Sequence, residues 1–154
     1  MGRCLPEIEK VTMKSIKELE DEIVREFEEF PDIDSKYAYI FHLGGELPEF
    51  DPSLKDETHQ VKGCQSSLWF HLYSTENGLR LEADSDSLVI KGIAALFVLL
   101  IEGRQVEEIP CLSLDFIDRI NVWKLASERN SGLLAMLEHI KAQACQMSSD
   151  RIPE

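Results

Sequence analysis

Positive charge is scarce in this chain. It holds 16 Lys and Arg residues against 29 Asp and Glu, for a formal net charge of −13. Such a surface repels phosphate backbones and anionic lipid headgroups, and no Lys/Arg cluster interrupts it. Nucleic acid and membranes are therefore not expected as partners, and a protein with a basic patch is. Cysteine is sparse as well: Cys4, Cys64, Cys111 and Cys145 show no CxxC pairing and no short Cys/His ladder, the spacing by which zinc sites are usually recognised. The opening "MGRCLPEIEKVTMK" lacks the apolar core of a secretory signal, so we expect a reduced, cytoplasmic chain with free thiols rather than two disulfides. No apolar run is long enough for a bilayer. The most apolar one, "LVIKGIAALFVLLI" from Leu88 to Ile101, falls short of the roughly 20 residues a span requires and is interrupted by Lys91, so it reads as a core helix. Repeats, low-complexity tracts and Pro/Gly/Ser-rich linkers are missing too. A chain of 154 residues then reads as a single domain, 1–154, with its core at roughly 13–147.

What is present is patterning. Ile16, Leu19, Ile23, Phe27 and Phe30 recur at three or four residues, which predicts a helix from about Met13 to Phe30. Ser15 and Glu18 can form a capping box at its start, with Thr12 as the competing cap, and Pro31 ends it. Asp34 or Ser35 can cap a second helix carrying Tyr37, Ile40 and Leu43, which Gly44 and Gly45 stop or bend. After a polar loop, Leu68, Phe70 and Leu72 alternate with Trp69, His71 and Tyr73, the period of a strand. "TENG" has turn chemistry and "LRLEAD" alternates again, giving a hairpin to which residues around Gln60 to Gly63 can add a short third strand. Ser85 or Ser87 opens the long apolar helix and Gly103 closes it. "QVEEIP" and "LDFIDRI" read as short helices. The last helix starts near Ser127 or Asn130 and carries Leu133, Leu134, Leu137, Ile140, Lys141 and Ala144. The expected fold is α+β: a small antiparallel sheet of about three strands flanked by helices.

One thiol stands in a distinctive context. In "VKGCQSSLWF", Gly63 frees the backbone before Cys64, Gln65, Ser66 and Ser67 can satisfy loop hydrogen bonds, and the strand from Leu68 anchors one end. The residues alone leave two readings open. Cys64 is either displayed for reaction or simply buried, since cysteine is among the most buried residue types.

"VKGCQSSLWF" resembles the cysteine-loop motif of the SufE family of sulfur-acceptor proteins. "YAYIFHLGGELPEF" is similar to the family's second-helix signature, "ADSDSLVIKGIAALFVLL" to its acidic turn and following apolar helix, and "SERNSGLLAMLEHIKAQA" to its last helix. The motifs are in the family's order and cover about Ile16 to Ala144. The resemblance implies a SufE/IscU-like fold and a sulfur relay. A pyridoxal-phosphate cysteine desulfurase (SufS-like) forms a persulfide on its own cysteine. The SufE-like protein takes the outer sulfur onto Cys64, stimulates the desulfurase, and hands the sulfur to an iron–sulfur assembly scaffold (a SufB-containing complex). It implies a non-classical transferase acting only with its partner. The persulfide on Cys64 is transient, and the chain has no cofactor or metal of its own. Carried over by position, Gly63, Gln65 and Ser66 shape the loop, Asp84, Ser85 and Asp86 form the acidic turn, Lys91 and Gly92 are the Lys-Gly of the helix, and Arg129 is the arginine of the last-helix motif. Ala83 stands where the family often has glycine, and a proline is absent near Ser127 and Glu128.

Such a transfer needs a thiolate, and an unperturbed thiol with a pKa of about 8.5 supplies only a few per cent of it at neutral pH. Lys62 and Arg129 are the candidate positive charges. Arg129 also reads as a surface arginine paired with Glu128. We expect the free protein to tuck Cys64 against apolar side chains, with Trp69 and the long helix lining the pocket. His59 is a possible general base but reads better as a solvated loop histidine. The Asp84–Asp86 turn reads as helix capping rather than a metal site. Cys4, Cys111 and Cys145 match no motif and read as bystanders. An IscU-like cluster scaffold is the alternative function, but it needs several ligands converging on one site. A cysteine hydrolase with Cys64 and His59 is weaker, since no third residue to orient the histidine is evident.

Overall fold

The computed structural model describes residues 15–61, 67–120 and 130–151. Thr12, Lys62 and Cys4 lie outside these residues. Helix α1 spans Ile16–Glu28. Its capping box is the one expected: the Glu18 amide donates to Ser15 Oγ at 3.0 Å, and the Ser15 amide donates to Glu18 Oε1 at 3.0 Å. It ends before Phe30, because a residue preceding proline is pushed out of the helical region. Helix α2, Ile33–Gly45, is capped by Asp32 rather than by Asp34 or Ser35: Asp32 Oδ1 accepts from the Ser35 amide at 2.8 Å. The chain re-enters helix directly after Pro31, so the first available side-chain acceptor takes the cap.

Strands β1, Leu68–Thr75, and β2, Gly78–Ser85, form an antiparallel hairpin with Leu68 opposite Ser85 and Trp69 opposite Asp84. Gly78 adopts φ +109°, and a Cβ there would lie 2.5 Å from the Gly103 carbonyl group, so glycine is required on both grounds. Of the expected third strand, Gln60 forms a bridge with Trp69, and Lys62 and Gly63 lie outside the described residues. Toward His59 the pairing ends, because the His59 amide is committed to a turn, donating to the Asp56 carbonyl at 3.2 Å.

Helix α3, Leu88–Ile101, is capped by Ser87, whose Oγ accepts from the Ile90 amide at 3.2 Å. Gly103, with φ +78°, follows its end. "VEEIPC" forms a 3-10 helix, Val106–Cys111, and helices α4, Asp115–Ile120, and α5, Asn130–Arg151, follow among the described residues. The inner hairpin face (Leu68, Phe70, Leu72, Leu79, Leu81 and Ala83) is buried in one apolar core, with β2 packed against α3. Gly92 lets α2 cross α3 closely, since a Cβ there would come within 2.2 Å of the Ile40 carbonyl oxygen. On α5, Leu133, Leu137, Ile140 and Ala144 are buried while Leu134 is exposed. The fold is therefore α+β, with a small antiparallel sheet among helices. No helix among the described residues is long and apolar enough to cross a membrane.

Candidate functional site

Gly63, Cys64, Gln65 and Ser66 lie outside the described residues, as does Arg129. What the structure gives is the stem on which residues 62–66 are mounted. On the near side the Val61 amide donates to the Leu68 carbonyl at 2.8 Å, and the Phe70 amide donates to the His59 carbonyl at 3.0 Å. Val61 is itself buried in the core. On the far side Ser67 is held by the acidic turn. Its amide donates to Asp86 Oδ1 at 3.0 Å, while its carbonyl accepts from Ser85 Oγ at 2.6 Å and from the Asp86 amide at 3.2 Å. Ser85 Oγ also accepts from the Ser87 amide at 3.1 Å, tying this clamp to the residue that caps α3. Both ends of the segment are thus fixed to the hairpin and to the start of the most buried helix.

The turn therefore divides its labour. Asp86 and Ser85 grip Ser67, and Ser87 caps the helix. Asp84 does neither: it pairs with Lys55 Nζ at 2.7 Å and Lys91 Nζ at 3.3 Å. Partial burial pushes the Asp84 carboxyl up, but Lys55, the Ser85 amide and Lys91 together outweigh it and leave it below the usual carboxylate range. Lys55 also sits over the Trp69 ring, 4.9 Å from its centroid. Trp69 belongs to the outer face of the hairpin, opposite Asp84, and Lys91 of α3 reaches that same Asp84. The pocket expected around Cys64 itself lies outside the described residues.

The outer face continues with polar aromatics. His71 stacks on Tyr73 with centroids 4.9 Å apart, and His59 meets His71 edge-on at 5.3 Å. His59 Nδ1 lies 2.8 Å from Asp56 Oδ1, which also accepts from Thr58 Oγ1 at 2.8 Å. Hydrogen bonding from His59, then from Thr58, pulls the Asp56 carboxyl down to about 2. An orienting carboxylate for His59 therefore exists, which the sequence did not reveal. Tyr73 OH donates to Glu82 Oε2 at 3.1 Å, and burial followed by that carboxylate raises the Tyr73 hydroxyl. Between this face and the segment 49–54 runs an open groove of about 610 Å³.

Of the remaining thiols, Cys111 and Cys145 are free and exposed. Among the described residues no group of three or more His, Cys, Asp or Glu side chains is placed to hold a metal ion. Sequence reasoning named Ser67 for loop hydrogen bonds but missed Lys55 and Asp56 beside the stem. Of these two only Asp56 left a signal, the Asp-x-x-His spacing that suits a local turn.

Comparison with known proteins bears on the same region. The SufE family profile, described as an Fe-S metabolism associated domain, matches residues 21–144. "SufE-like protein 1, chloroplastic/mitochondrial" of Arabidopsis thaliana is 34% identical over 128 residues, covering 82% of this chain but only 34% of that relative's length. Uncharacterized SufE-like proteins of Rhizobium meliloti and Rhizobium etli are 28% and 29% identical, and the alignments cover 93% and 96% of them. The solution structure of a hypothetical protein from Thermus thermophilus superposes with a TM-score of 0.71 at 19% identity, covering 84% of this chain and 96% of that one, a likeness of fold. The match over most of the chain places it in the SufE family, whose domain is associated with iron–sulfur metabolism.

Proposed function

We propose that this protein is a sulfur acceptor, which takes persulfide sulfur from a cysteine desulfurase onto Cys64, stimulates that enzyme, and passes the sulfur to an iron–sulfur assembly scaffold. The observation that carries the reading is the double anchoring of the segment bearing the motif cysteine, by Val61 on one side and Ser67 on the other. A short segment held at both ends presents its thiol from a fixed base while its middle adapts to a partner. Cys64 then acts as the nucleophile. Its thiolate attacks the terminal sulfur of the donor's persulfide, a new S–S bond forms on Cys64, the donor's S–S bond breaks, and the donor cysteine leaves as a thiolate. No electrons are gained or lost overall. Arg129 is proposed as the positive charge that favours the Cys64 thiolate, and Gly63, Gln65 and Ser66 as the residues that shape its presentation. Asp86 and Ser85 act through Ser67 as positioning residues. The pyridoxal phosphate belongs to the SufS-like donor, and the final acceptor is a SufB-containing scaffold.

The test is incubation with a cysteine desulfurase, pyridoxal phosphate and cysteine, followed by intact-mass measurement. The protein gains sulfur that a reductant removes, and Cys64→Ser gains none. Uptake of iron with sulfide, and colour, would instead support an IscU-like scaffold.

A further inference from the structure

The groove on the outer hairpin face is chemically one-sided. Glu49, Asp51 and Glu82 line it with the aromatic groups Phe50, His71 and Tyr73, and no lysine or arginine is among its lining residues. Phe50 is only 4% exposed yet packs apart from the main core, so it forms the groove's own apolar wall. The neighbouring cations are already engaged: Arg80 pairs with Glu102, and Lys55 lies 2.7 Å from Asp84. The carboxylates of the groove therefore keep their negative potential. Carboxylates beside aromatic faces suit a guanidinium, which stacks on a ring while it donates to oxygen. The groove is also continuous with the stem, because His71 meets His59, whose carbonyl accepts from the Phe70 amide at 3.0 Å.

We propose that this groove docks a basic, arginine-bearing segment of the partner that delivers sulfur to Cys64. The inference rests on the sulfur-acceptor reading above and adds where the donor is held. Docking beside the stem orients the donor toward the anchored segment, and its electrostatic part speeds encounter.

The experiment measures binding of the full chain to a cysteine desulfurase holoenzyme across a salt titration, together with sulfur uptake. Glu49→Gln/Glu82→Gln removes two groove charges and leaves Tyr73 an acceptor. Glu29→Gln/Glu138→Gln removes the same charge from exposed positions outside the groove. We expect the groove variant to bind about tenfold more weakly at low salt, with a flatter salt dependence, and the control to change by less than about twofold. Equal weakening of both variants, unchanged binding of the groove variant, or no binding by the wild type overturns the docking inference. A wild-type protein that binds the desulfurase but gains no sulfur overturns the functional reading instead, which keeps the two failures distinct.

Discussion

Along β1, Leu68, Phe70 and Leu72 are at most 4% exposed, while Trp69, His71 and Tyr73 between them are only half-buried. The first set lies within the main core, where Phe70 meets His139 of α5 edge-on. The second meets the polar segment through Lys55 over the Trp69 ring and His59 edge-on to His71, while His71 stacks on Tyr73 and the Tyr73 hydroxyl donates to Glu82. One backbone thus carries two environments, because side chains of a strand alternate between its faces. The inner face fixes where the hairpin sits, and the outer face carries the contacts with residues 55–59 and borders the open groove.

The sharpest way to break this contrast is to truncate neighbouring residues. Phe70→Ala should cost about 3–5 kcal/mol in denaturant unfolding, as a large buried ring leaves a cavity. His71→Ala should cost less than about 1 kcal/mol. Similar losses at the two positions would mean that the faces are not energetically distinct.

The clamp on Ser67 comes next in size. Asp86→Ala removes the acceptor of the Ser67 amide, a hydrogen bond worth about 1 kcal/mol. Exchange of that amide should accelerate and sulfur uptake at Cys64 should slow, with little change in overall stability. If exchange stays slow, the anchor resides elsewhere.

The smallest effect lies away from the hairpin. Glu20 on α1 is 2% exposed, and its Oε2 has no hydrogen-bond partner among the described residues. Burial raises its carboxyl above the ordinary glutamate value, offset in part by Lys17, with Asp21 and Asp115 raising it further and Arg119 lowering it. A raised carboxyl favours the fold when neutral, and this contribution is lost as pH rises through the folded value. Glu20→Gln should therefore melt slightly higher than the wild type at neutral pH, and the difference should vanish below the ordinary glutamate pKa. A difference independent of pH would remove ionisation as its cause.

Local features were legible in the sequence because they are set within one turn of chain. The Ser15–Glu18 box, the Ser87 cap and the alternation of β1 are of this kind. The Asp32 cap was missed because Asp32, Asp34 and Ser35 offer the same chemistry, and only the path after Pro31 selects one. On α5 the sequence pattern leaves the buried face open among Leu133, Leu134, Leu137 and Ile140, and the structure buries Leu133, Leu137, Ile140 and Ala144 while Leu134 stays exposed. The stem was harder still. Lys55 between Asp84 and Trp69, or Ser67 gripped by Ser85 and Asp86, joins residues far apart in sequence, and no local period encodes such meetings. The family motif identified Asp84 and Asp86 together, while the geometry separates them into a lysine partner and a loop anchor.

The central claim concerns one thiol among several, and Cys111 and Cys145 are both exposed enough to compete. The most direct test is intact mass after incubation with a desulfurase, pyridoxal phosphate and cysteine, for a protein with serine at positions 4, 111 and 145, beside one with serine at position 64 alone. The account predicts reductant-labile sulfur on the first and none on the second. Sulfur on the second at the wild-type rate would contradict it.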